Sequence, residues 1–285
     1  MSFENDTVGS MKNNKNLKTT FKSQFMELGN FLILKLKSPF TIIGLVIIIF
    51  MIIVSIFPMI ITPYSFSQAI GVYSPYYGVP SPAHPLGTTK FGRDVLARII
   101  YGIPDSLIFG IFSVLIGLIG ALIIGIPINL LNKRLKMSAE IILIVLFMIP
   151  LISAVTTVAF ILNALLHSII AFGSYPIIFG MYLIPIFTFF IAKERLSFYD
   201  MGKTIIRYIP LLMGYCILFY NVLGFFGLLN PMTIQLGADI NAARDYLYSA
   251  PWAVFYPGIA IFLLIIGFYL LYAGLQKSPR ELREF

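Results

Sequence analysis

The apolar residues of this chain fall in runs near or above the roughly 20 residues that carry an α-helix across a bilayer. Six such runs are legible: 40–62, "FTIIGLVIIIFMIIVSIFPMIIT", then about 105–131, 138–162, 174–192, 208–229 and 252–275. The first is rich in β-branched residues, but a lipid-exposed open strand would leave its backbone groups unpaired, so it too reads as helix. Pro127, Pro150, Pro185 and Pro257 fall within or near the runs and predict kinks or local ends without changing the count. The apolar stretch 163–173 either extends the third helix or forms a short interfacial one. Ahead of the first run, "FMELGNFLILKLK" reads as a short interfacial helix, and the polar "MSFENDTVGSMKNNKNLKTT" before it as disordered. The long apolar run starts too late for a cleavable signal peptide, so it is expected to be retained.

Composition agrees with a membrane solvent. Of 285 residues, 59% are hydrophobic and 11% charged, with mean hydropathy +0.91. Such a chain has too little polarity to cover a soluble core of this size. The net charge of +8 does not form a nucleic-acid-binding face, because the basic residues punctuate the apolar runs. They orient the bundle instead. With the N-terminus inside, sixteen of the 20 lysines and arginines lie in cytoplasmic segments, and only Lys90, Arg93, Arg98 and Arg244 outside. The positive-inside rule therefore places both termini in the cytoplasm. The expected organisation is a tail over 1–37, one transmembrane domain over 38–276 and a short tail over 277–285, in an all-α polytopic protein of the cell membrane.

Little in the chain suggests chemistry. There is no phosphate-binding Gly-rich loop followed by Lys and Ser or Thr, so no ATPase site and no cofactor site is expected. His84, His167 and Cys216 are too few and too scattered for a zinc site. Cys216 is expected to pack as a small hydrophobe. "GLIGALIIG" at 117–125 reads as a helix-packing surface. Asn221, in the middle of a run, is the main intramembrane polar residue, for a bundle hydrogen bond or a substrate contact. Glu140 suits the N-terminal end of the third helix.

Two stretches carry more specific information. The first is "HPLGTTKFGRDVLARIIYGIPDS" at 84–106, and the second "ARDYLYSAPWAVFYPGIAIFLLIIGFYLLYAGL" at 243–275. The first resembles the signature of the permeases of dipeptide and oligopeptide ABC importers, close to HPLGTD-x-x-GRDVLSR-x-x-YG-x-R-x-S. His84, Pro85, Leu86, Gly87, Thr88, Gly92, Arg93, Asp94 and Arg98 stand in matching places. It departs at Thr89, where Asp is common, and at Asp105, beside the usual basic position. The second is similar to the last loop and helix of that family, with Arg244, Asp245, Tyr246, Trp252, Pro257 and Gly258 in register. Read physically, 84–98 offers turn formers followed by a short helix lying at the outer surface. Arg93 and Asp94 are adjacent and do not face each other, whereas Asp94 and Arg98 are four apart and can pair. These residues serve either as loop anchors and helix caps or as an outer gate and docking element. Trp252 suits an aromatic belt.

The resemblance implies a type I, MetI-like permease fold. It implies a homologous second permease, an extracytoplasmic substrate-binding protein and two cytoplasmic ATPase subunits that hold ATP and Mg. Membrane lipid is a further partner, and nucleic acid is not. Catalysis in this chain is not implied. The cargo would be peptides, with oligosaccharides and nickel chelates as alternatives. In that family the ATPase-coupling loop follows the fourth span. Here that place holds "AKERLSFYDMGKTIIRYIP" at 192–210, about ten residues shorter and without the family's Glu-Ala-Ala pattern. A short coupling element is expected from Lys193, Glu194, Arg195, Ser197, Phe198, Tyr199, Asp200, Gly202, Lys203 and Arg207, centred on 197–204. The alternatives are a permease-like scaffold or regulator without ATPase coupling, and an unrelated secondary transporter.

Overall fold

The structure, a computed structural model, describes residues 23–131, 133–147, 169–193, 198–229 and 233–276. Helices account for most of them: α1 (23–36), α2 (Pro39–Ile56), α3 (Pro58–Ile61), α4 (Phe66–Ile70) and α5 (Val95–Asn129). These are followed by α6 (Lys133–Phe147), α7 (Ile169–Lys193), α8 (Phe198–Phe225), α9 (Leu236–Ala243), a 3₁₀ turn (Arg244–Tyr246) and α10 (Trp252–Gln276). Among the described residues, α2, α5, α8 and α10 contain stretches long and apolar enough to cross a membrane, and Tyr175–Ile191 in α7 is a shorter apolar helix. The chain is an all-helical, multi-pass membrane protein.

Several element boundaries differ from those read in the sequence. The first run is two helices: Phe57 leaves the helical region (φ −113°, ψ 56°) and Pro58 starts α3. A residue before proline is driven out of the α region by the ring, so the break follows from sequence. The second helix begins ten residues before 105, so 95–98 is its first turn and not a separate helix lying on the surface. Its 35 residues extend about 50 Å at about 1.5 Å per residue, beyond a hydrocarbon core of about 30 Å. The helix runs through Pro104, and Pro127 lies near its end. The fourth helix includes 169–173, and the fifth starts at Phe198, ten residues before 208, so polar and apolar residues share one helix. The helix beginning at Lys133 covers the start of the expected third span, whose remainder lies outside the described residues, as does Pro150.

Small residues set the packing. A Cβ on Gly117 would stand 2.7 Å from the Leu183 side chain, one on Gly180 2.7 Å from Ile116, and one on Gly120 2.5 Å from Ile184. The successive pairs show α5 and α7 running parallel and close, as "GLIGALIIG" predicts. Likewise Gly44 of α2 lies against the backbone of Gly267 and Leu271 in α10, where a Cβ would come within 2.6 Å. Phe109, Phe179 and Phe219 fill the space between α5, α7 and α8, with ring centroids of Phe179 and Phe219 4.4 Å apart. Cys216 is buried in the same core. Outward faces are apolar: Ile42, Val46, Ile49 and Phe50 on α2, and Ile111, Phe112, Leu115 and Ile119 on α5, are all exposed. Water would penalise these faces, whereas hydrocarbon does not. Segment 62–94, α9 and the turn to Trp252 gather at one end of the bundle; α1 and the start of α8 lie at the other.

Candidate functional site

At the loop-bearing end, the two sequence stretches meet and lock together. Residues 84–94 form a tight turn system: the Gly87 amide donates to the His84 carbonyl (2.8 Å), and the Thr89 amide to the Arg93 carbonyl (2.9 Å). Gly87 and Gly92 have φ of 74° and 69°, a region that side-chain-bearing residues seldom occupy. Both also lack space, since a Cβ on Gly87 would press on the Trp252 indole and one on Gly92 would overlap the Tyr73 carbonyl. The Trp252 indole N–H donates to the Thr88 carbonyl (3.2 Å). Trp252, expected in an aromatic belt, is thus the pin between the two stretches. The buried Thr88 hydroxyl donates to the Pro75 carbonyl (2.8 Å) and accepts from the Gly78 amide (2.6 Å). Leu86 packs against the bundle core, while Pro85 stays exposed in the turn.

The charged residues of the first stretch have separate partners. Asp94 caps α5, accepting from the Ala97 amide (2.7 Å), and its other oxygen accepts from Nδ1 of His84 (3.1 Å). The His84 ring stacks on Tyr64, with centroids 5.0 Å apart. Burial, and secondarily the Asp94 charge, push the Tyr64 phenol above its ordinary pKa. Asp94 and Arg98 do not pair, contrary to their i, i+4 spacing. Arg98 reaches instead to Asp239 of α9, donating from Nε to both oxygens (2.8 and 2.6 Å), and from Nη1 to the Ala69 carbonyl (2.7 Å). Both side chains of this ion pair are buried. Arg93 donates from Nε to the Gly71 carbonyl (2.7 Å) and its guanidinium lies 4.6 Å from the Phe91 ring centre. Burial and the neighbouring Arg98 lower its pKa, and Asp239 opposes that shift.

Arg244, Asp245 and Tyr246 form the rim of this end. Arg244 and Asp245 lie 3.5 Å apart but are largely exposed, so their pairing adds little. Tyr246 leans on Tyr77 at 4.6 Å, and the Tyr77 hydroxyl donates to the Ala242 carbonyl (2.8 Å). Burial, with Tyr246 and Asp245 nearby, pushes the Tyr77 phenol up to about 12. Deeper, Asn221 donates to the Ser106 hydroxyl (3.2 Å) and to the Ile217 carbonyl (2.8 Å), which joins α8 to α5. Asp239 went unnoticed in the sequence, although an acid inside "LGADINAA", between two motif segments, was a usable signal.

The opposite end holds the expected coupling stretch. Glu194, Arg195 and Ser197 lie outside the described residues, as do the side chains of Lys193 and Phe198. Tyr199, Asp200, Gly202, Lys203 and Arg207 form the first turns of α8, and α1 covers one side of them. Leu28 lies where a Cβ on Gly202 would be 3.1 Å away. Lys203 and Arg207 sit 5.5 and 5.2 Å from the Phe31 ring centre. The Lys203 ammonium also lies 5.5 Å from the Tyr199 ring. Among the described residues, no group of histidine, cysteine or carboxylate side chains could hold a metal ion.

Comparison with known proteins places this arrangement. The chain is 29% identical over 267 residues to the dipeptide transport system permease protein DppC of Alkalihalophilus pseudofirmus, covering 85% of this chain and 86% of the relative. Peptide-transport ABC permeases are its homologues. Identity is 28% over 225 residues to the glutathione transport system permease protein GsiD of Pectobacterium atrosepticum, covering 70% and 73%. It is again 28% over 215 residues to the di/tripeptide transport system permease protein DppC of Pseudomonas aeruginosa, covering 68% and 70%. No family model matches the chain. The chain is thus a membrane permease subunit related to permeases of peptide-transport systems.

Proposed function

We propose that the chain is one permease of a binding-protein-dependent importer for peptides, with both termini in the cytoplasm. A homologous second permease completes the path, two ATPase subunits hold ATP and Mg, and an extracytoplasmic binding protein delivers cargo. The observation that carries the reading is the sequence relationship to dipeptide, di/tripeptide and glutathione permeases, spanning most of each chain. The interlocked layer of Gly87, Thr88, Asp94, Arg98, Asp239 and Trp252 then lies outside. There it would hold the extracellular ends of α5, α9 and α10 as one body for a docking binding protein.

Alternating access needs an element with two states that both the ATPases and the cargo site bias. The first turns of α8 are our candidate, because polar Tyr199, Asp200 and Lys203 continue directly into an apolar helix whose far end carries Asn221. Force applied at the cytoplasmic end would thus travel along one continuous helix, which carries Pro210 between these turns and Asn221. A second reading has its own support. The α1 helix already occupies one side of these turns through Leu28 and Phe31, as in a subunit that supports its partner permease without gripping an ATPase.

The two readings separate in a reconstituted complex, by peptide-stimulated ATP hydrolysis and by crosslinking. On the coupled reading, Tyr199→Ala with Lys203→Ala lowers stimulated turnover about thirtyfold, the loss of one hot-spot contact of about 2 kcal/mol, and cysteines there crosslink to an ATPase. Full turnover and no crosslink would favour the supporting role. Failure of the purified complex to accumulate any di- or tripeptide in vesicles would sink the peptide reading itself.

A further inference from the structure

Asp105 lies in the third turn of α5, within the long helix, and among the described residues its carboxylate has no hydrogen-bond or ion-pair partner. It borders a pocket of about 130 Å³ whose other walls are Ile108, Phe109, Tyr175, Pro176, Tyr220 and Leu229. The two phenols are directed elsewhere: the Tyr175 hydroxyl donates to the Leu228 carbonyl (2.5 Å), and Tyr220 hydrogen-bonds the Thr233 side chain. Phe109 and Tyr220 lie 4.9 Å apart, and both line the same pocket as the carboxylate.

A carboxylate within a membrane-spanning helix faces protein or a water-filled cavity, and marks a path or a partner. Hydrocarbon would not solvate it, so the open side of this pocket faces one of those. The lining narrows the choice. Among the described residues, the one carboxylate among apolar walls does not supply the several oxygens that calcium needs or the three or four ligands of zinc. A proton relay needs a second titratable carrier, and among the described residues the pocket's other titratable groups are phenols already engaged. An organic cation suits the site on both counts, pairing with the carboxylate while ring faces attract its charge. The volume admits an ammonium head and its first carbons, not a whole solute.

We propose that this pocket receives the protonated amino group of the cargo, with Asp105 as the ion-pair partner and Phe109, Tyr175 and Tyr220 as the aromatic wall. The proposal rests on the peptide-import reading and adds to it the part of the solute that this subunit recognises. Asp105, Tyr175 and Tyr220 all lie towards the loop-bearing end, the extracellular side under the proposed orientation. A cationic group would therefore meet the pocket early on its way in.

The test uses the protein purified from its native membrane with its bound partners, in lipid nanodiscs. Equilibrium binding is measured for dialanine amide and for its N-acetyl counterpart, which lacks the charge. The free amine should bind at least about tenfold more tightly, the scale of a hydrogen bond to a charged group. Asp105→Asn should bring the two within about twofold of each other, and Asp105→Glu, which keeps the charge, should preserve most of the preference. Discrimination that survives Asp105→Asn overturns the proposal. So does loss of the partner permease from the Asp105→Asn complex, which would make the carboxylate a clamp between subunits. Vesicle uptake separates the two ideas: Asp105-dependent amine binding without peptide uptake supports the pocket and removes the peptide-import reading. Uptake with Asp105-independent binding overturns the pocket alone.

Discussion

Removing Arg98 should unlock the loop-bearing end. This side chain ties three segments: its own α5, the end of α4 through the Ala69 carbonyl, and α9 through Asp239. Arg98 and Asp239 side chains are only 5% and 9% exposed, so Arg98→Ala strands a carboxylate that water reaches poorly. Breaking a buried ion pair from one side costs about 3–5 kcal/mol, much of it the desolvation of the orphaned charge. If the end opens as a local unit, its amide exchange should accelerate by about 150- to 5,000-fold, since 1.36 kcal/mol is a factor of ten. Hydrogen exchange on the full chain in nanodiscs reads this directly over 64–94 and 236–246. Amides in α7 should be unchanged. A matched apolar pair, Arg98→Met with Asp239→Leu, should recover most of the loss, because no unpaired charge is left. Acceleration under about tenfold in Arg98→Ala, or an apolar pair as open as the single variant, would refute the electrostatic reasoning.

Gly92→Ala should disrupt the same layer at least as severely, because it adds both a strained positive φ and an overlap with the Tyr73 carbonyl. Trp252 is the sole tryptophan and sits on Gly87, so its emission in the isolated chain reports the result. The Tyr77 phenol, pushed up to about 12, binds its proton more tightly in the folded state than at the ordinary 10.0. Its stabilisation is complete below pH 10 and is lost as pH rises from about 10 to about 12; Tyr77→Phe should flatten that part of a Trp252 emission titration. Gly44→Ala should separate α2 from α10, since the added carbon meets immovable backbone at Gly267 and Leu271; a lower melting temperature in detergent checks it. Asn221→Ala should destabilise by only about 0.6 kcal/mol, the usual size of a hydrogen bond between membrane helices, measured by reversible unfolding in bicelles.

Much of the bundle was legible in the sequence because hydrocarbon imposes a simple rule: a spanning segment must be apolar and must satisfy its own backbone. Length and composition alone therefore mark the long apolar helices among the described residues, and the glycines at 117–125 announce a close neighbour. Boundaries were less legible, because hydropathy registers where apolar residues begin and helix continues into polar ones. Asp94 starts α5 as a cap, and Phe198–Arg207 extends α8, for reasons of backbone hydrogen bonding that no hydropathy run reveals.

The sequence by itself determined that this is a helical membrane protein and which stretches carry its specific signal. Only the tertiary structure decided who pairs with whom. The i, i+4 spacing offered Asp94 to Arg98, but Asp94 was already committed to the Ala97 amide and His84, and α9 brought Asp239 to Arg98 from 141 residues away. Trp252 reached Thr88 across 164 residues, and Asp105 came to stand among rings drawn from three helices. Such contacts depend on how helices are set against one another. A chain encodes that through the joint fit of many small packing choices, and no single spacing along it displays the result.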